Sequence, residues 1–249
     1  MKKLFLLFLA GSMMFLSSCS KDEATAVSNE AMSSDEVAEI VSMSLSEDAM
    51  GATSVIESSV EVSSTASKPS RVKSSDIVYS KDTTITKVSN PSALISYSMT
   101  TSYEYNFTLD SIGTPKSLVV SYSYSGNFDA PRLSSAHNGS GVLSIGNLGN
   151  SVCEVNGSYE RASDVLTKGI RAKESNSNTK LVFQSVLVDK SIRRIQSGTA
   201  TLTMSGSVPR KGDFSFSGTV IFEGNDLASL TIEGKKYTIN LRNGAYEAQ

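Results

Sequence analysis

Tryptophan is absent from the 249-residue chain, histidine occurs once, cysteine twice and proline five times. Each scarcity removes a class of chemistry. Tetrahedral zinc needs several Cys or His ligands, and only His137, Cys19 and Cys153 are on offer. A calcium loop needs clustered Asp and Asn around a glycine, and no such cluster occurs. The phosphate-cradling patterns G-x-x-x-x-G-K-[ST] and G-x-G-x-x-G are missing as well, so neither a metal nor a cofactor is expected. Basic charge is not in excess, with 23 Lys and Arg against 25 Asp and Glu, which makes nucleic acid an unfavourable partner. No apolar run approaches the roughly 20 residues of a spanning helix.

What is present begins with the first residues. Lys2 and Lys3 precede an apolar stretch from Leu4 to Leu16, followed by Leu16-Ser17-Ser18-Cys19. A basic start, a short apolar core and a small-residue cleavage site describe a secretory signal over residues 1–18, removed before folding. The residues Leu16-Ser17-Ser18-Cys19 resemble the lipobox of bacterial lipoproteins. That resemblance implies cleavage before Cys19, a diacylglyceryl group on its thiol and a further acyl chain such as palmitate. More than one chain makes a stable anchor without a transmembrane helix. An ordinary signal peptide cut near Ser18, leaving Cys19 free, is the alternative. The next residues, Ser20-Lys21-Asp22-Glu23, are similar to the acidic export signal of Bacteroidota lipoproteins and also suit a solvated tether. The expected address is the outer membrane, on its periplasmic or cell-surface face. Acylation of Cys19 would leave Cys153 as the only thiol and exclude an intramolecular disulfide.

Charge divides the rest of the chain. Residues Ser20 to Val62 carry one Lys and ten acidic residues, whereas Ser63 to Gln249 carry twenty basic and fifteen acidic ones. The two parts should attract. Residues 19–32 read as an acidic flexible tether and residues 33–62 as an amphipathic helical segment. Ser33 and Glu36 form a capping-box pair, and Val37, Ile40, Val41, Ser44 and Leu45 follow at helical spacing. The spacing predicts a helix from about Ser34 to Met50, ended near Gly51 and continued through Val55, Ile56 and Val60. Residues 63–75 are a Ser-rich linker containing Pro69.

From residue 76 to 249 the period changes to two. Thr101, Tyr103, Tyr105, Phe107 and Leu109 alternate with Ser102, Glu104, Asn106 and Thr108, and the pattern returns at Leu118 to Phe128, Ala200 to Val208, Phe214 to Phe222 and Tyr237 to Leu241. Such strands bury one face. Short turns between them predict ten or eleven strands in a large antiparallel meander, mainly β with one N-terminal α-helix. Alternation alone leaves sandwich, barrel and curved half-barrel open. A faint duplication runs through this domain: Ser140 to Ile145 match Ser217 to Phe222, Ser125-Gly126 match Ser205-Gly206, and Cys153 to Val155 match Leu230 to Ile232.

Candidate chemistry is sparse. Asp129 to Gly139 reads as the longest polar connection, where His137 with Ser134 or Ser135 would form the distant hydrolase alternative. No G-x-S-x-G supports it. Cys153 shares a face with Val155 and Tyr159, which favours a buried thiol. The basic stretch from Arg161 to Arg194 would meet an anionic glycan, a lipid headgroup or the acidic helix of the same chain. The Tyr-rich early strands would be core rather than a sugar platform. Asp82-Thr83-Thr84 and Asp110-Ser111-Ile112 resemble the O-glycosylation sequon of Bacteroidota envelope proteins. Taken together, the residues favour a non-enzymatic envelope protein anchored at Cys19, binding or scaffolding a glycan, lipid or envelope protein through its sheet. The alternative is a carrier of a lipid or other apolar ligand in a curved sheet closed by the N-terminal helix.

Overall fold

A computed structural model describes residues 31–65, 78–168 and 172–249. The signal peptide, Cys19, most of the tether and most of the Ser-rich linker lie outside them. The described chain is two helices followed by one eleven-stranded antiparallel meander, in which every strand pairs with its sequence neighbours. The strands are β1 (Val78–Val88), β2 (Ser96–Leu109), β3 (Pro115–Asp129), β4 (Leu133–Gly146), β5 (Val152–Thr167), β6 (Glu174–Asp189), β7 (Arg194–Val208), β8 (Gly212–Gly224), β9 (Leu227–Ile232), β10 (Lys235–Asn240) and β11 (Tyr246–Ala248). Strands β1 and β11 are not paired, so the sheet is open, and neither the sandwich nor the closed barrel applies. It is nevertheless curled: Arg132, in the β3–β4 turn, stacks its guanidinium 4.8 Å above the ring of Tyr246 in β11.

Curling needs local relief from side chains. Glycines 139 and 141 of β4 provide it where Tyr124 and Tyr122 of β3 lie flat across them. A Cβ at Gly141 would stand 2.1 Å from the Ser158 carbonyl oxygen and 2.3 Å from the Tyr122 hydroxyl. The two phenols thereby reach past β4 and donate to the Ser158 and Glu160 carbonyls of β5, each at 2.9 Å. Glycine in a strand interior marks such close approach and permits a bend.

The N-terminal helix is α1 (Ser34–Leu45), and after a break that includes Gly51 the continuation through Val55, Ile56 and Val60 is a second helix, α2 (Ala52–Thr65). The expected capping box is present: the Ser33 hydroxyl accepts from the Glu36 amide while Glu36 accepts from the Ser33 amide. Tertiary hydrogen bonds end α1 early. Ser46 is extended, and the Glu47 and Asp48 amides donate to the Leu241 and Arg242 carbonyls beyond β10, each at 2.8 Å. Gly51 then lets the chain turn against itself, since a Cβ there would lie 2.3 Å from the Ser44 carbonyl oxygen. Ser63 to Thr65 belong to α2 rather than to the linker, and Ala31 and Met32, expected in the tether, are buried in the core. Met32 is apolar and packs into the core ahead of the helix it precedes.

Both helices pack against the concave face, where one hydrophobic cluster runs from Ala31 to Leu241. α1 touches β9, β10 and β11, and α2 touches β5 and β7. The expected attraction between the acidic and basic parts is realised as ion pairs: Glu36 with Lys173, Glu39 with Arg132, Glu61 with Arg193, and Glu47 and Glu57 with Arg194.

Candidate functional site

Asp129 to Gly139 is not a loop. The connection is only Ala130 to Arg132, and β4 begins at Leu133. Its small, polar outward residues disguised a strand. Alternation then separates the proposed Ser and His: Ser135 and His137 point inward, whereas Ser134 is on the outer face. The Ser135 hydroxyl donates to the Ala136 carbonyl at 3.3 Å. His137 is engaged elsewhere, so these residues do not assemble a Ser/His pair.

The register across the sheet shows what His137 belongs to. One inward row reads Gly126, His137, Ser163, Ser177, Gly206 and Phe214 from β3 to β8. The neighbouring row reads Tyr124, Gly139, Arg161, Thr179, Met204 and Phe216. The buried cluster they form is polar in the centre and aromatic at its sides. Arg161, only 2% exposed, donates from Nη2 to His137 Nδ1 at 2.8 Å and from Nε to the Ser163 hydroxyl at 3.1 Å. Its guanidinium carbon lies 5.2 Å from the Phe128 ring centroid. Burial and the Arg161 charge hold the His137 pKa down to about 2, so the ring is neutral. With Nδ1 accepting, the ring proton sits on Nε2. That nitrogen, Arg161 Nη1 and the hydroxyls of Ser175, Ser177 and Thr179 are buried without a hydrogen-bond partner.

Two other surfaces are candidates. Over β3 to β7, three hollows of about 470, 550 and 670 Å³ adjoin one another. Asn138, Ala162 and Asn178 are shared by two of them, and Ala136, Asp164 and Asn176 join the third. Alternation against the buried row places these six side chains on the outer face, so the hollows form one polar groove with a floor of short side chains. At the seam, a crevice of about 540 Å³ opens between α1, the β1–β2 and β3–β4 turns and β11, lined by Met43, Leu94, Tyr97, Pro131, Leu133 and Tyr246 among others.

Among the described residues, which exclude Arg171, the basic stretch from Arg161 to Arg194 does not form a free cationic face, and Lys190 donates to the Leu148 carbonyl. Lys173, Arg193 and Arg194 pair with the helices, Lys180 with Glu160 and Lys168 with Asp129, while Arg161 is internal. Cys153 is fully buried and burial pushes its thiol pKa up, the opposite of an activated nucleophile. Tyr103, Tyr105, Tyr122, Tyr124 and Phe128 are core, as their alternation predicts. Among the two glycosylation-like triplets, Asp82-Thr83-Thr84 lies on the outermost strand β1 and Asp110-Ser111-Ile112 in the exposed β2–β3 turn. Among the described residues no group of three or more His, Cys, Asp or Glu is placed to hold a metal ion, and no helix is long and apolar enough to cross a membrane.

No family model matches the chain, and neither a curated protein nor a solved structure is significantly similar to it.

Proposed function

We propose that the chain is a non-enzymatic cell-envelope protein, tethered to the outer membrane by lipid on Cys19, that binds an extended polar ligand along the outer face of its sheet. The observation that carries the binding role is the groove of three adjoining hollows on that face. The concave face is occupied by α1 and α2, so the outer face is the large surface left for a partner. Asn138 and Asn178 offer both donors and acceptors there, and the Ala136 and Ala162 floor lets a chain lie close. Envelope glycan is the ligand class these groups suit.

Two measurements test the reading. Radiolabelled palmitate should enter the protein in cells and fail to enter the Cys19→Ser variant; equal labelling would remove the anchor. Affinity electrophoresis of the purified full chain through gels containing envelope polysaccharide should show retardation. Asn138→Arg with Asn178→Arg, which fills the groove, should abolish it; unchanged mobility of both proteins with and without polysaccharide would remove the glycan role.

The seam crevice supports a second reading, carriage of an apolar ligand. Leu94, 80% exposed, is an apolar side chain beside that opening. Lipid released from gently purified protein and identified by mass spectrometry would favour it, and lipid-free protein would count against it.

A further inference from the structure

Burying a guanidinium without a counter-ion is strongly unfavourable, and buried hydroxyls without partners add to that cost. Arg161 forms no ion pair among the described residues, and its hydrogen-bond partners are a neutral imidazole nitrogen and a serine hydroxyl. The unpartnered groups around it do not form a random set. Arg161 Nη1 and His137 Nε2 are both donors, and the Ser177 and Thr179 hydroxyls, on the adjacent strand, can donate as well. Thr179 pairs directly with Arg161 in the β5–β6 register and Ser177 with Ser163, so two of the hydroxyls flank the guanidinium. Ser175 continues the same inward row of β6 toward the β5–β6 connection. The interior thus gathers one fixed positive charge and four further groups able to donate, between aromatic walls, with no negative charge among the described residues paired to them.

We infer that this cluster is a binding site for an oxyanion, a carboxylate or phosphate group whose oxygens accept from Arg161 Nη1, His137 Nε2 and the hydroxyls of Ser177 and Thr179. Charge-assisted bonds from a guanidinium are the strongest such contacts available to a protein. Tyr124, Phe128 and Phe214 beside the site suit an apolar remainder attached to the oxyanion, so the same chemistry is presented by a free anion, a fatty acid or a phospholipid headgroup. The inference is independent of the anchor and of the outer groove.

The test is the thermal midpoint of the full chain in neutral detergent, at constant ionic strength set with chloride. The probes are inorganic phosphate, laurate, and short-chain phosphatidylglycerol compared with short-chain phosphatidylcholine. A ligand bound only by the folded state raises the midpoint in proportion to the logarithm of its concentration. A saturable rise with phosphate identifies a free oxyanion, with laurate alone a fatty acid, and with phosphatidylglycerol but not phosphatidylcholine a headgroup; no rise with any probe overturns the proposal. Arg161→Met, which keeps length and removes charge, should weaken the responding probe by about tenfold or more, the equivalent of losing a charged hydrogen bond. An unchanged response in Arg161→Met also overturns it. Should that variant not fold, Thr179→Val and Ser177→Ala supply the same test through smaller losses, and full retention in both counts against the site.

Discussion

The concave face has two halves with opposite chemistry. Toward the β2–β3 and β4–β5 turns its rows are apolar: one reads Tyr105, Val120, Leu143, Gly157, Phe183, Ala200, Val220 and Leu230, with every side chain almost wholly buried. Toward the β3–β4 and β5–β6 turns, the same strands place His137, Arg161, Ser163, Ser177 and Thr179 inward. Alternation runs through both, interrupted in the apolar half by bulges in β6 and β7. The difference teaches that an alternating strand declares which residues share a face, and that the inward face need not be apolar along its whole length. Apolar rows are filled by side chains and helices, whereas the polar rows hold donors that want an acceptor.

Four changes would break or sharpen this contrast. The largest effect should come from the apolar half, where Leu143→Ala leaves a cavity and should cost about 2–5 kcal/mol in chemical denaturation. Next come two titrations of opposite sign. The folded pKa of His137 lies below its unfolded value of about 6.5, so the unfolded chain takes up a proton as pH falls through that value and stability is lost. By pH 5 this amounts to about 2 kcal/mol relative to pH 8, and His137→Gln should remove the loss.

Glu57, in α2, behaves the other way. Burial and the nearby Glu47 charge, only partly offset by Arg194, raise its pKa to about 7. Here the folded chain binds the extra proton, so stability rises as pH falls from about 7 toward the unfolded value near 4.3. Between pH 8 and pH 6 the gain should be about 1 kcal/mol, absent in Glu57→Gln. Comparing the melting curves of both variants with the parent separates the two contributions, and parallel profiles in all three would disprove the assignment. The smallest effect is expected from Glu61→Gln. Its pair with Arg193 is half exposed on both sides, so the change should stay below about 1 kcal/mol and vanish at high salt.

Much of this fold is readable from particular residues. Thr101 to Leu109 and Leu118 to Phe128 announce their strands because a half-buried strand must alternate. Ser33 and Glu36 announce the start of α1 because the two groups satisfy each other's amides locally. The end of α1 is not readable, since its competing hydrogen bonds come from Leu241 and Arg242, nearly two hundred residues away. The strand character of Leu133 to Gly146 was hidden because Ser, Asn and Gly dominate it, the composition of a loop. Of the buried cluster around Arg161, only His137 stood out in sequence. Arg161 was legible as one cation in a basic stretch; its burial depends on a register linking it to Thr179 and His137.

What the sequence by itself determines about this protein is its mainly β character, the buried face of the strands whose apolar residues alternate and the cap of α1, all of which follow from contacts within a few residues. The attraction between an acidic N-terminal part and a more basic sheet also follows from composition. Only the tertiary structure decides that the sheet stays open, that α1 ends as early as Leu45, and that Arg161, His137, Ser177 and Thr179 converge. Pairing partners are set by turn lengths, bulges and glycine bends summed over many strands, and a single strand's period carries no record of them.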